Sequence, residues 1–258
     1  MPSEIHFSAP QIATFKRVHE KFWPVVVSEA SLTRRCWDVS DDEVVVNLIR
    51  QVAVIGNAKA GSRVTGKHVV WTGGLERQSR KQRMTAIHRA LRDAGARWAG
   101  RTLDSCRFSP RVADSLDVML SAGGPRAFIA SVAKLADEDD RLFALQTLPM
   151  FGGEKSPRDF LNTTLGLATN KVALDTRLLN VLREVAPDKI HEQSTPARRR
   201  YQAIERALID QVCPALGCSG FEFDQLLFLG QKDNRIVHFL QTGALISVGP
   251  RHHSCRPC

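Results

Sequence analysis

Apolar residues recur along most of this chain at intervals of three and four, and no run shows convincing period-two alternation. That pattern predicts helices and an all-α protein. The first candidate covers residues 11–22 and is expected to stop before Pro24, because proline disrupts a helix interior. Asp41 and Asp42 open the next, in which Val45, Leu48, Ile49, Val52 and Ile55 share one face. Its β-branched content leaves a strand open there. The stretch GSRVTGKHVVWTGG reads as an irregular connection.

Amphipathic helices follow over residues 77–93 (closed by Gly95) and 110–122 (closed by Gly123 and Gly124). Two more cover 125–135 and 139–148, the latter ended by Pro149. Ser156 as N-cap and Pro157 in the first turn predict a helix reaching about residue 166. Further helices are expected over residues 172–185, 196–211 and 222–229.

Composition adds a sign to this picture. Hydrophobic residues make up 43% and charged residues 24% of 258, the balance of a globular protein with a sizeable core. A net charge of +9 suits a polyanionic partner such as nucleic acid. No apolar run has the length of a membrane span, and the first ten residues carry no secretory pattern. Six scattered cysteines, Cys36, Cys106, Cys213, Cys218, Cys255 and Cys258, are expected as reduced thiols in a cytoplasmic protein, nucleoid-associated if bacterial.

The chemistry concentrates in LPMFGGEKSPRDFLNTTLGLATNKVALDTRLL, residues 148–179. A Gly152-Gly153 turn offers bare backbone N–H groups to a phosphate. Lys155 stands where a helix begins and can serve as an amine nucleophile. Asp175 follows twenty positions later and can orient that amine or stabilise positive charge. An ordinary surface lysine and a capping aspartate are the plain alternative.

These residues resemble a known family. The hairpin Leu148–Lys155 and the segment Ala173-Leu174-Asp175-Thr176-Arg177 are similar to the helix-hairpin-helix DNA glycosylases of the endonuclease III and 8-oxoguanine glycosylase superfamily. GEKSPRDFL resembles the wording of their archaeal-type and bacterial 8-oxoguanine members. Relative to the common form, the hairpin holds one residue more, and Met150 replaces a usual glycine.

The resemblance implies two helical lobes with a DNA-binding cleft between them. One is a six-helix bundle over about 41–165 that ends in the hairpin; the other joins 1–40 to 166–258. It implies a DNA glycosylase with AP-lyase activity, acting on a flipped-out damaged base, with an oxidised purine such as 8-oxoguanine favoured. Lys155 and Asp175 would be catalytic. Met150, Phe151, Gly152, Gly153, Arg177 and Asn57 would contact DNA, Asn57 by entering the space the base has left. A monovalent cation at the hairpin in the DNA complex and a monomeric protein are also implied. The cysteine cluster of endonuclease III is absent, so no iron–sulfur cluster is expected. A monofunctional glycosylase and a non-catalytic duplex-binding protein are the competing functions.

Other features have alternative roles. The clusters Arg77–Arg83 and Arg198–Arg200 suit phosphates or a solvated face equally. Trp23, Trp37, Trp71 and Trp98 suit base stacking, or more simply the core. Asp224 and Gln225 are candidates to reach the base. The tail RHHSCRPC, with Cys213 and Cys218 upstream, has zinc-ligand residue types but irregular spacing, so no metal is expected. Tyr201 is the sole tyrosine, with no partner evident from sequence.

Overall fold

The computed structural model describes residues 4–29, 39–55, 57–66 and 69–244. Trp37, Cys36, His252, His253, Cys255 and Cys258 lie outside the described residues. Among the described residues, regular structure is entirely helical. The helices are α1 (Ala9–Glu29), α2 (Asp41–Ala53), α3 (Ala58–Arg63), α4 (Arg80–Asp93), α5 (Phe108–Ser121), α6 (Pro125–Ala133), α7 (Glu138–Gln146), α8 (Lys155–Asp159), α9 (Thr176–Val185), α10 (Arg198–Ala207), α11 (Cys213–Leu216), α12 (Gly220–Gly230) and α13 (Arg235–Thr242). A 3-10 turn spans Pro149–Phe151, and π-helical turns follow α8 at Phe160–Thr164 and α10 at Leu208–Val212.

The chain forms two compact units, Thr33–Ala173 and Met1–Leu32 with Leu174–Cys258. The sequence placed the second junction near residue 165. The structure moves it to 173/174 because the strap after α8 is tied to α7. The carboxylate of Glu138 accepts the N–H groups of Thr169 (2.7 Å) and Asn170 (2.9 Å). Lys171 Nζ pairs with Asp139 at 2.5 Å, and Arg141 Nη1 donates to the Leu167 carbonyl at 2.6 Å.

In the Thr33–Ala173 unit, α2 settles the helix–strand ambiguity through its cap. Ser40 Oγ accepts the Glu43 N–H, and Glu43 Oε2 accepts the Ser40 N–H at 3.0 Å, a reciprocal box. Val45, Leu48 and Ile49 are then fully buried with Ile87, Leu116, Leu145 and Phe151 in one core. Helix α3 runs into the first three residues of the stretch predicted as an irregular connection. Helix α4 begins at Arg80, later than predicted, because Ser79 caps it with Gln82. Its arginines clasp α5: Arg80 pairs with Asp114 at 2.5 Å, and the buried Arg83 with Asp117. Two arginines of the basic cluster are thereby paired within the unit, Arg83 buried and Arg80 at the surface.

In the other unit, α1 runs through Pro24 to Glu29, past its predicted stop. Phe15, Val18, Phe22 and Val26 form a buried stripe that crosses the proline, while Pro24 itself faces outward. A proline costs about 3 kcal/mol in a helix interior. Each buried aliphatic or aromatic side chain contributes about 1.5–3 kcal/mol, so the stripe outweighs the break. Phe15 also packs edge-on against Phe7 and Phe223, at 5.6 and 5.7 Å between ring centroids. Helix α13, unrecognised in the sequence, packs Ile236 into the same unit.

Candidate active site

The hairpin joins α7 to α8. Its shoulder is fixed from below. Phe151 is fully buried against Phe160, with ring centroids 5.2 Å apart, and Met150 is buried as well. The Met150 N–H donates to Ser115 Oγ on α5 at 3.1 Å, and the Phe151 N–H to the Leu148 carbonyl at 2.8 Å. Both donors are thus spent internally. Gly152 and Gly153 remain: both are exposed, and neither N–H has a partner among the described residues.

Nothing inside the protein demands glycine at those two positions. Gly152 has φ −65, and Gly153 is outside the left-handed region. A Cβ on Gly153 would meet nothing within 4 Å, and one on Gly152 only the Pro149 carbonyl oxygen at 3.9 Å. Small size there leaves room for something outside the protein to approach the backbone closely.

Helix α8 starts at Lys155, with Glu154 rather than the predicted Ser156 as the flanking residue. Arg158 Nη1, almost fully buried, donates to the Glu154 carbonyl and to its Oε2, both at 2.8 Å. This one-turn clasp begins the helix a residue before the serine. Pro157 falls at the third helical position, where a missing N–H costs nothing because no intrahelical partner exists. The half-buried Lys155 has no side-chain hydrogen bond or ion pair among the described residues. Downstream, Asp159 holds Gln51 Nε2 (3.1 Å) and Thr163 Oγ1 (3.0 Å), anchoring α8 to α2.

Asp175 is the N-cap of α9, which therefore starts at Thr176 instead of residue 172. Its Oδ1 accepts the N–H groups of Arg177 and Leu178, both at 2.9 Å. Its Oδ2 accepts no hydrogen bond among the described residues. The carboxylate is therefore oriented by one oxygen and leaves the other open. The preceding residue is pinned too: the Leu174 N–H donates to the Tyr201 hydroxyl at 2.7 Å. Tyr201 is fully buried on α10. Sequence reasoning missed this partner; the only available signal was a lone tyrosine on the apolar side of a basic helix.

Arg177 is exposed, and its guanidinium lies 4.5 Å from the centre of the Phe228 ring on α12. Asn57 precedes α3, and its Nδ2 donates to the Gly95 carbonyl at 2.9 Å, linking two connections of the Thr33–Ala173 unit. Arg200 is bound to Glu192 at 2.6 Å. Trp71 is core, Trp23 stacks on His19, and Trp98 is exposed with the Arg97 guanidinium over its ring. Phe223, Leu226 and Leu227 are core as expected, and Asp224 is buried beside them. Lys155 belongs to one compact unit and Asp175 to the other.

Among the described residues no three His, Cys, Asp or Glu side chains converge to hold a metal ion, and no helix is long and apolar enough to cross a membrane.

No family model matches the chain, and no curated protein matches it. Solved structures do. The 8-oxoguanine DNA glycosylase of Methanocaldococcus jannaschii superposes with a TM-score of 0.57 at 17% identity, over 91% of this chain and 95% of that one. The same organism's 8-oxoguanine glycosylase/lyase, in complex with a 15mer DNA containing 8-oxoguanine, gives 0.58 at 16% identity over 91% and 98%. The 8-oxoguanine DNA glycosylase of Thermotoga maritima gives 0.55 at 18% identity over 91% and 97%. Across nearly its whole length, this chain has the fold of the 8-oxoguanine DNA glycosylases.

Proposed function

We propose that this protein is a DNA glycosylase with AP-lyase activity that removes an oxidised purine, 8-oxoguanine in the first instance, from duplex DNA. The observation that carries the proposal is Lys155, an amine with no internal partner, two residues beyond a glycine pair whose N–H groups are unspent. Such an arrangement holds a phosphate by the backbone and leaves the neighbouring amine for the attached sugar. The net charge of +9 and the bound 8-oxoguanine DNA of the M. jannaschii neighbour support the same reading.

The chemistry follows from the two side chains. The N-glycosidic bond breaks, and the base leaves with its electron pair and takes up a proton. Positive charge grows on the sugar, and the open Oδ2 of Asp175 stabilises it. The Lys155 nitrogen attacks C1′ and gives up a proton; the C1′–O4′ bond then breaks, the ring oxygen takes up that proton as the C4′ hydroxyl, and the C1′–nitrogen double bond of a Schiff base forms. Removal of a C2′ proton then expels the 3′ phosphate by β-elimination. The proposal requires Lys155 and Asp175 to act on one nucleotide drawn out of the stack.

Borohydride trapping tests it. The wild-type protein is expected to become covalently joined to a duplex containing 8-oxoguanine, and Lys155→Gln is not. Trapping that survives the substitution overturns the assignment of the nucleophile. Base release without strand nicking reduces the activity to that of a monofunctional glycosylase. Indifference to the lesion, in binding and after long incubation, leaves only a duplex-binding protein.

A further inference from the structure

The corner between α11 and α12 carries a pair of reduced cysteines, Cys213 and Cys218, that the proposed chemistry does not use. Gly217 ends α11 in the left-handed conformation, at φ 66 and ψ 30. Its N–H bonds the Pro214 carbonyl at 3.2 Å, and the Cys218 N–H bonds the Cys213 carbonyl at 3.1 Å. These paired bonds are the Schellman closure, which sets the first and last side chains of the turn against each other. Those positions usually carry two apolar side chains; here they carry two cysteines.

The two thiols are not equivalent. Cys213 is 3% exposed, whereas Cys218 is partly open to solvent. Hydrogen bonding between them holds the Cys218 thiol below its ordinary value, while the same contact, together with burial, pushes Cys213 up. Cys218 also immediately precedes Ser219, the N-cap of the eleven-residue α12, and the positive end of a helix favours a thiolate. The carboxylate of Glu222 in the first turn of α12 acts the other way on both cysteines.

We propose that Cys213 and Cys218 form a reversible intramolecular disulfide on exposure to an oxidised low-molecular-weight disulfide, with Cys218 attacking and Cys213 resolving. The Cys218 thiolate attacks one sulfur of the reagent and expels the other as a thiolate, leaving a mixed disulfide. Cys213 gives up its proton to solvent, and its sulfur attacks Cys218 Sγ and releases the second reagent thiolate. The protein loses two electrons and two protons, and the reagent becomes two thiols. Gly217 fixes the turn in advance, so the closing step needs no rearrangement of helices.

The full-length protein, equilibrated with glutathione disulfide and digested with trypsin, provides the test. Cys213 and Cys218 share one tryptic peptide, since no Lys or Arg falls between Arg206 and Lys232. That peptide is expected to lose two hydrogens and both maleimide-reactive thiols, and to regain them with dithiothreitol. Cys213→Ser is expected to accumulate glutathione on Cys218, and Cys218→Ser to leave Cys213 unmodified. Iodoacetamide is expected to alkylate Cys218 with a midpoint below pH 9.0. Stable glutathione on Cys218 of the wild type, a bond from either cysteine to a third, or two thiols that remain alkylatable throughout would each overturn the proposal.

Discussion

The hairpin around Lys155 and the turn around Asp175 hold their functional groups in opposite ways. At the hairpin, the fold uses everything except the parts that face outward. Met150 and Phe151 are buried and their N–H groups are spent, Glu154 is tied to Arg158, and Lys155 with the two glycines is left uncommitted. At the turn, the candidate carboxylate is itself structural, because Asp175 Oδ1 caps α9. The lysine can therefore be removed without disturbing the fold, and the aspartate cannot. Comparable losses of activity at the two positions would not carry the same meaning unless stability is measured beside them.

Substitution at Lys155 should show the largest effect. Lys155→Gln is expected to lower strand nicking on the order of 10³-fold or more, as removal of a covalent nucleophile does. Thermal stability should stay within about 0.5 kcal/mol, because no internal contact is lost. A clear fall in melting temperature would erase the contrast drawn above.

Asp175 sharpens it. Asp175→Asn keeps a capping oxygen and is expected to lose on the order of 10²-fold in base release with stability nearly unchanged. Asp175→Ala should lose the same activity and about 1 kcal/mol of stability in addition. Equal melting temperatures for the two variants would show that the cap does not hold α9. Tyr201→Phe takes away the acceptor of the buried Leu174 N–H and is expected to cost about 1–3 kcal/mol in chemical denaturation. Its single-turnover rate should fall while DNA affinity holds, since the residue before Asp175 loses its anchor.

Smaller effects follow at the glycines and at a histidine. Gly153→Ala should leave stability within about 0.5 kcal/mol, because its Cβ meets nothing, while weakening duplex binding by about tenfold, or about 1.4 kcal/mol. Binding isotherms that match the wild type would remove the glycine pair from the interface. His19, packed on Trp23, has its pKa lowered from 6.5, chiefly by burial. The unfolded chain therefore binds a proton more readily than the folded one, and this contribution to stability is present above pH 6.5 and fades as pH falls through it. His19→Gln should slightly flatten the acid side of the stability profile measured by urea titration.

Much of this was legible in the sequence, where periodicity alone decides. The buried face of α2 and the closure of α4 at Gly95 follow from spacing and glycine placement. Lys155 and Asp175 stood out because a glycine turn and a helix start leave local marks. Elements set by long-range contacts were not legible. Pro24 marked a stop that the buried stripe of α1 overrides. The Leu174 N–H beside Asp175 is held by a hydroxyl twenty-seven positions away, and the end of the Thr33–Ala173 unit by carboxylates of α7. No local pattern announces such partners. Ser156, a good cap by residue type, lost to Glu154, clasped by Arg158, two residues earlier.

Ser115 occupies a position no motif would select, fully enclosed on α5. Yet its hydroxyl is the peg on which the Met150 amide hangs, and with it the height at which the glycine pair is presented. Drift at position 115 would detune the hairpin while leaving every letter of the hairpin intact. Comparison of homologues by that motif alone would then score a slackened protein as a sound one.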